Sequence, residues 1–192
     1  PVFLIYNTSS FKGFDDMIRY WNGILTQKGL PSLYIVETLN SFQKHPFCTN
    51  SNAVVEFEPM YTVKNIPQYR SYLTRLKEIL SNKPYRIFNY DKVWSEIIKR
   101  QNKFDQKDLF LGAFVDWDNS PRFRKGAAVF INAAPYKFFE YLKQQVNKNK
   151  SEFIFINAWN EWAEGAYLEP DLKNNLKYLE AVQKIKRKGD YQ

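Results

Sequence analysis

The 192 residues contain one cysteine, Cys48, and one histidine, His45. A lone thiol cannot close an internal disulfide, which excludes a disulfide-stapled scaffold and makes a reducing, cytoplasmic setting the default expectation. His45 and Cys48 share an H-x-x-C spacing, but a metal site of this kind needs a second pair of ligands, and the polar stretch around them reads as a plain loop. Glycines number only seven. None of G-x-x-x-x-G-K, G-x-G-x-x-G or G-x-S-x-G occurs, so nucleotide P-loops, dinucleotide sites and nucleophile elbows find no support. No apolar run approaches the ~18 residues that suggest a membrane span, and the amino terminus has neither a basic n-region nor a small-residue cleavage site. A transmembrane segment is therefore not expected. Short repeats, Gly/Ser linkers and low-complexity tracts are missing too, and residues 1–192 read as a single domain. The first residue is Pro1 rather than methionine, which suggests a piece of a longer chain.

What is present is apolar and aromatic: 44% hydrophobic and 18% aromatic residues, enough for a substantial core. The formal charge of +8 attracts polyanions non-specifically. Its lysines are spread along outer helix faces (Lys137, Lys143, Lys148, Lys150), and the cluster Lys184 to Lys188 sits at a helix carboxyl end, where the macrodipole favours cations. No nucleic-acid recognition motif accompanies them, and no specific nucleic-acid partner is expected.

Strand and helix signals alternate. Val2 to Tyr6 is a buried strand by its β-branched and aromatic run, followed by polar Asn7 to Ser10. Phe14, Met17, Ile18, Trp21, Ile24 and Leu25 recur at helical spacing, with Gly29 as the stop. Leu33–Val36 and Ala53–Phe57 are further strands. Between Tyr61 and Pro84 the pattern is weak, although Tyr69, Leu73, Leu76 and Leu80 permit a short helix. A helix starts near Asn89 to Asp91, with Asp91 as N-cap and Val93, Trp94, Ile97 and Ile98 on one face. Leu109–Val115 is a strand, and Ala128–Ile131 a brief apolar run. Pro135–Asn149 is a helix with Phe138, Phe139, Leu142 and Val146 inward. Phe153–Ile156 is the last clear strand, and Leu172–Arg187 a final helix carrying Leu176, Leu179, Val182 and Ile185. Near-continuous apolar strands joined by long connections predict a parallel sheet covered on both faces, a barrel or a doubly wound sheet.

In both architectures ligands lie beyond the carboxyl ends of the strands. Those ends carry Tyr6-Asn7, Glu37-Thr38, Glu56-Phe57-Glu58, Asp116-Trp117-Asp118-Asn119 and Asn157-Ala158-Trp159-Asn160-Glu161-Trp162-Ala163-Glu164. Carboxylates and amides bond hydroxyls in pairs, and indoles cover the C–H faces of sugar rings, so carbohydrate is the expected substrate class. Glu161 and Glu164, three residues apart on a turn or first helical turn, can share one face at roughly 5–6 Å between Cβ atoms. Two carboxyls roughly 5–5.5 Å apart suit retaining glycoside chemistry. Between Trp159 and Trp162, desolvation and like-charge proximity would raise one pKa and make that group a proton donor. The bland alternative is that both merely favour a helix amino terminus. Asn157, Asn160 and Glu169 add candidate contacts to sugar hydroxyls. Asp116 and Asp118 bind hydroxyls too, or Asp118 only bonds the turn toward Pro121. Glu56, ending an apolar strand, is expected in the pocket rather than in a buried structural pair. Arg122 and Arg124 are read as solvent-facing loop cations rather than phosphate ligands.

At Phe155-Ile156-Asn157-Ala158-Trp159-Asn160-Glu161-Trp162-Ala163-Glu164-Gly165-Ala166-Tyr167-Leu168-Glu169-Pro170-Asp171 the chain resembles the WbsX-like glycosyltransferase family, related to glycoside hydrolase family 99. Pro1–Tyr6, Ala53–Phe57 and Phe114–Arg122 agree with it as well. The resemblance implies a (β/α)8 TIM barrel and a role in bacterial surface polysaccharide or lipopolysaccharide biosynthesis, with no metal or organic cofactor. It also implies that Glu161 is the base activating a sugar 2-hydroxyl for internal attack, and Glu164 the acid that protonates the leaving oxygen. Family members are longer, and five or six strands do not close an eight-stranded barrel. A missing amino-terminal half or self-association is the matching expectation for partners, beside a glycan or sugar-donor substrate. Transferase, glycosidase and a carbohydrate-binding or remnant domain without turnover remain open on sequence.

Overall fold

The computed structural model describes residues 1–66, 85–101, 103–104, 107–123 and 126–189, with side chains as far as Ile185. Tyr69, Leu73, Leu76, Leu80 and Arg124 lie outside the described residues, as does the side chain of Lys188. Five parallel strands form one curled sheet: β1 (Val2–Ile5), β2 (Tyr34–Leu39), β3 (Ala53–Glu56), β5 (Asp108–Phe114) and β7 (Ile154–Asn157). Two strands that the sequence reading missed, β4 (Tyr85–Asn89) and β6 (Ala127–Ile131), pair in parallel beside the sheet. The arrangement is a mixed α/β half-barrel.

Sheet order follows chain order, β1-β2-β3-β5-β7, so each strand end reaches the same rim. Register is tight where the chemistry will sit. Leu39 pairs with Glu56, Val55 with Phe110, and Phe114 with Asn157. Gly112 has a packing reason to be glycine, because a Cβ there would meet the Glu56 carbonyl oxygen at 1.8 Å.

Five helices among the described residues cover the sheet: α1 (Phe14–Gln27), α2 (Met60–Asn65), α3 (Tyr90–Lys99), α4 (Pro135–Lys148) and α5 (Lys177–Gly189). Gly29 takes φ +67 just past α1, as a helix stop requires. The α3 cap is Asn89, whose side chain accepts from the Lys92 amide; Asp91 instead accepts from Lys137 and Tyr141 on α4. A main-chain donor is satisfied equally well by either neighbour, and the interhelical ion pair claims Asp91. Trp94 on α3 stacks on Phe114 and Tyr141, at 5.2 and 5.4 Å between centroids, and anchors the main core.

Two helix faces agree with expectation at Phe138, Phe139, Leu142, Val182 and Ile185, which lie in or against the main core, and differ from it elsewhere. On α4, Val146 is exposed and Gln145 is buried, because its amide donates to the Gly112 carbonyl at 2.8 Å. On the last helix, which starts at Lys177 rather than Leu172, Tyr178 and Ala181 face the core, while Leu172 and Leu176 are exposed. Among the described residues no helix is long and apolar enough to cross a membrane.

Candidate functional site

The end of β7 is fixed from below. Asn157 is buried, its amide donates to the Glu58 carbonyl at 2.9 Å, and its own carbonyl accepts from the Val115 amide at 3.1 Å. Beyond it the chain does not begin a long helix. It forms a small antiparallel hairpin of β8 (Asn160–Glu161) and β9 (Ala166–Tyr167), joined by a single 3-10 turn over Trp162–Glu164 and by Gly165 at φ +62. A Cβ on Gly165 would press on the Asp118 amide at 3.0 Å, and that amide donates to the Glu164 carbonyl at 2.8 Å. The loop after β5 and the turn after β7 are thus laced together. The helix-terminus alternative for Glu161 and Glu164 loses its basis, since the next α-helix starts at Lys177.

Glu164 Oε1 accepts from the Arg122 guanidinium at 2.9 Å. Burial pushes the Glu164 carboxyl above the ordinary range, Arg122 pulls it down, and the charge of Glu161 pushes it up again, with a net rise. The Tyr6 phenol, at the end of β1, is also raised, by burial and by the Glu164 charge. The residue after β1 and the turn after β7 thus lie within electrostatic reach of each other. Asp116 is pushed up to about 6, chiefly by burial and further by Asp118, against the Trp117 amide that it accepts and the charge of Lys173.

Trp162 lies half exposed and stacks on Tyr167, with centroids 3.8 Å apart and planes at 16°. Its indole N–H donates to Glu169 at 2.6 Å, and the Tyr167 hydroxyl donates to Asp171 at 3.0 Å. Trp159 is half exposed nearby, with its carbonyl accepting from the Leu168 and Glu169 amides. The Trp162–Tyr167 stack offers a flat apolar face edged by the carboxylates of Glu169 and Asp171. Beside them opens a concavity of about 760 Å³, lined by Trp162, Tyr167, Pro170, Asp171, Leu172, Lys173, Asn175 and Leu176. Asn160 lies exposed on β8 and Glu161 half-buried beside it.

Three residues expected to contact substrate have partners within the protein. Glu56 is 1% exposed, with Arg100 donating to both carboxylate oxygens at 3.0 and 2.7 Å, so it is the buried structural pair. Burying a charge at a strand end demands a counter-charge, and a residue 44 positions away supplies it. Trp117 is 4% exposed and packs in the main core, leaving no face for a ligand. Asp118 Oδ1 accepts from the Ser120 amide at 2.9 Å, which is the turn alternative. Conversely Arg122, read as a solvent cation, pairs with Glu164; Tyr6, already placed at a strand end, feels the Glu164 charge, and Tyr167 and Lys173 join the rim without having been singled out. Pairing across 42 residues leaves no local signal; only the stacking partner Tyr167, five residues after Trp162, was within reach of pattern reading. Among the described residues no three His, Cys, Asp or Glu side chains are grouped to hold a metal ion.

The sequence profile of the glycosyltransferase WbsX family matches residues 1–182. The chain belongs to the glycosyltransferase WbsX family. The match takes in every strand of the half-barrel and the whole Glu161–Glu164 hairpin of this WbsX-family chain. The WxcX protein of Xanthomonas campestris pv. campestris strain B100 is 25% identical over 190 residues, covering 95% of this chain and 26% of the relative. The WxcX protein of a second strain of the same pathovar is 25% identical over 191 residues, with the same coverage. The chain thus spans about a quarter of the length of these curated relatives. No solved structure matches it.

Proposed function

We propose that this chain is the carboxyl-terminal part of a barrel enzyme that transfers or cleaves glycosidic bonds in bacterial surface polysaccharide or lipopolysaccharide biosynthesis, with Glu161 and Glu164 as its paired carboxylates. Family membership supports the substrate class. The observation that carries the catalytic reading is Glu164, placed on the rim with its carboxyl raised by burial and by Glu161. A carboxyl whose pKa is raised by its surroundings is better suited to act as a general acid.

In this reading the sugar rests against Trp159 and Trp162. Glu161 removes the proton of the 2-hydroxyl, whose oxygen attacks the anomeric carbon. The bond to the leaving oxygen breaks as Glu164 protonates it. Glu164, now ionised, then takes a proton from the incoming hydroxyl, of water in hydrolysis or of a sugar in transfer, as that oxygen attacks the anomeric carbon; the bond from the 2-oxygen to the anomeric carbon breaks, and Glu161 returns its proton to the 2-oxygen. The same two carboxylates serve both outcomes, and the acceptor admitted to the rim decides between them.

The test is product detection by mass spectrometry, with mannose-containing glycans and native bacterial polysaccharide, for the chain and its Glu164→Gln variant. Turnover should fall by about 10²–10⁴-fold in the variant, the range of a lost general acid, while ligand stays bound. Equal product from both proteins would refute the role of Glu164. Ligand binding without product from either would make the rim a carbohydrate-binding surface.

A further inference from the structure

Arg122 stands 42 residues before Glu164 in the chain, on the connection between β5 and β6, yet its guanidinium bonds the Glu164 carboxylate at 2.9 Å. The loop is built to deliver it. The Arg122 amide donates to the Asn119 carbonyl at 3.1 Å, Asn119 accepts from the Ala128 amide at 2.7 Å, and the Asp118 amide holds the Glu164 main chain. Arg122 is also half exposed, with its guanidinium 6.0 Å from the Phe123 ring centroid.

We propose that Arg122 is a positioning residue for Glu164: it aims the carboxyl at the rim and stabilises the carboxylate left when the proton departs. The inference rests on the reading of Glu164 as the acid. Three groups act on that carboxyl: Arg122 from the β5–β6 loop, Glu161 from its own hairpin and Tyr6 from the end of β1. Arg122 is the cation in this set, the others being a carboxylate and a phenol. When Glu164 hands its proton to the leaving oxygen, an uncompensated anion would form beside Glu161. Arg122 is already in place to neutralise it, with no side chain having to move in from solvent. When the incoming hydroxyl returns a proton, the ion pair relaxes again. Burial and Glu161 push the Glu164 pKa up while Arg122 opposes them, the balance needed by a group that must both give and recover a proton.

The experiment follows the side-chain carboxyl carbon of Glu164 by NMR through a pH titration of the ¹³C-glutamate-labelled chain, the signal being assigned by its loss in Glu164→Gln. In Arg122→Gln the Glu164 midpoint should move to higher pH than in the wild type. Arg122→Lys, which keeps the charge, should bring it most of the way back, and added salt should move the wild type toward the Gln variant. An unchanged midpoint in Arg122→Gln, with amide dispersion retained, would overturn the proposal. So would a midpoint in Arg122→Lys equal to that of Arg122→Gln, because position and charge would then not act together. Since titration needs no turnover, its result stands apart from the product assay on Glu164→Gln.

Discussion

Arg100→Met removes a guanidinium that bonds two buried acids. Glu56 and Glu58 have side chains 1% and 0% exposed, and Arg100, itself mostly buried, bonds both and also Thr62. Losing one partner of a buried pair typically costs about 3–5 kcal/mol, because a charge stays buried without its complement. Lys148 lies close enough to interact with both carboxylates and remains in the variant, which argues for the lower half of that range at pH 7.5. The pH dependence gives the sharper test. Glu58 is already held above the ordinary carboxyl range, mainly by burial and in part by Glu56, against the pull of Arg100. Without Arg100 the folded-state pKa rises further. A carboxyl whose folded pKa exceeds its unfolded value binds more protons when folded, so stability falls as pH rises from about 4.3 through the folded pKa. Wild type and variant should therefore lie close together near pH 4.5 and separate steadily toward pH 7.5. Urea unfolding followed by tryptophan fluorescence at four pH values measures the gap. A constant gap, or one under about 1 kcal/mol at pH 7.5, would show that the ion cluster does not support the sheet as argued. The companion variant Glu56→Gln, Glu58→Gln, Arg100→Met should recover much of the loss, since the buried charges are gone on both sides.

Two further changes probe the positions that set the rim. Asp116→Asn should stabilise the fold above pH 6 and leave it unchanged near pH 3: a folded pKa of about 6 against an ordinary value near 4 means stability lost as pH rises, at most roughly 3 kcal/mol. Thermal midpoints at pH 3.5, 5 and 7 would test this, and a destabilised variant at pH 7 would contradict it. Gly112→Ala places a methyl 1.8 Å from the Glu56 carbonyl oxygen, so β3 and β5 must part. It should cost about 3 kcal/mol or more by overpacking, read as a lowered denaturation midpoint; wild-type stability would mean the two strands have more room than their register implies.

β2, β3 and β5 were legible because burial on both faces writes itself as unbroken apolar runs, as in Val54-Val55 and Leu111 to Val115; β1, expected to be buried, is a strand at the sheet edge with Val2, Leu4 and the following Tyr6 exposed. β4 and β6 were not legible, because Tyr85–Asn89 mixes charged and amide residues with Ile87 and Phe88, and Ala127–Ile131 is too short to separate strand from loop by period. The hairpin after β7 was hidden by its own carboxylates. An E-x-x-E spacing is what a helix start shows, and only Gly165 at positive φ, with Asp118 against it, explains why the chain turns back instead.

The same limit governs the site. Residues carried by one continuous stretch, from Asn157 to Asp171, could be assembled from sequence, since a short segment between strand and loop must gather at one rim. Glu56 and Trp117 were misplaced for the complementary reason. Strand-end position says that a side chain is near the rim, but the face it takes is set by partners far along the chain. Arg100 draws Glu56 inward, and the core around Phe114 and Phe130 takes Trp117. Arg122 is the reverse case, a loop cation brought to Glu164 by main-chain bonds at Asp118 and Asn119. Two of these three assignments, Glu56 and Arg122, turn on one long-range ion pair each. That is why substitution of the distant partner, Arg100 or Arg122, tests the site more sharply than substitution of the carboxylates themselves: it leaves the acids in place and changes only what faces them.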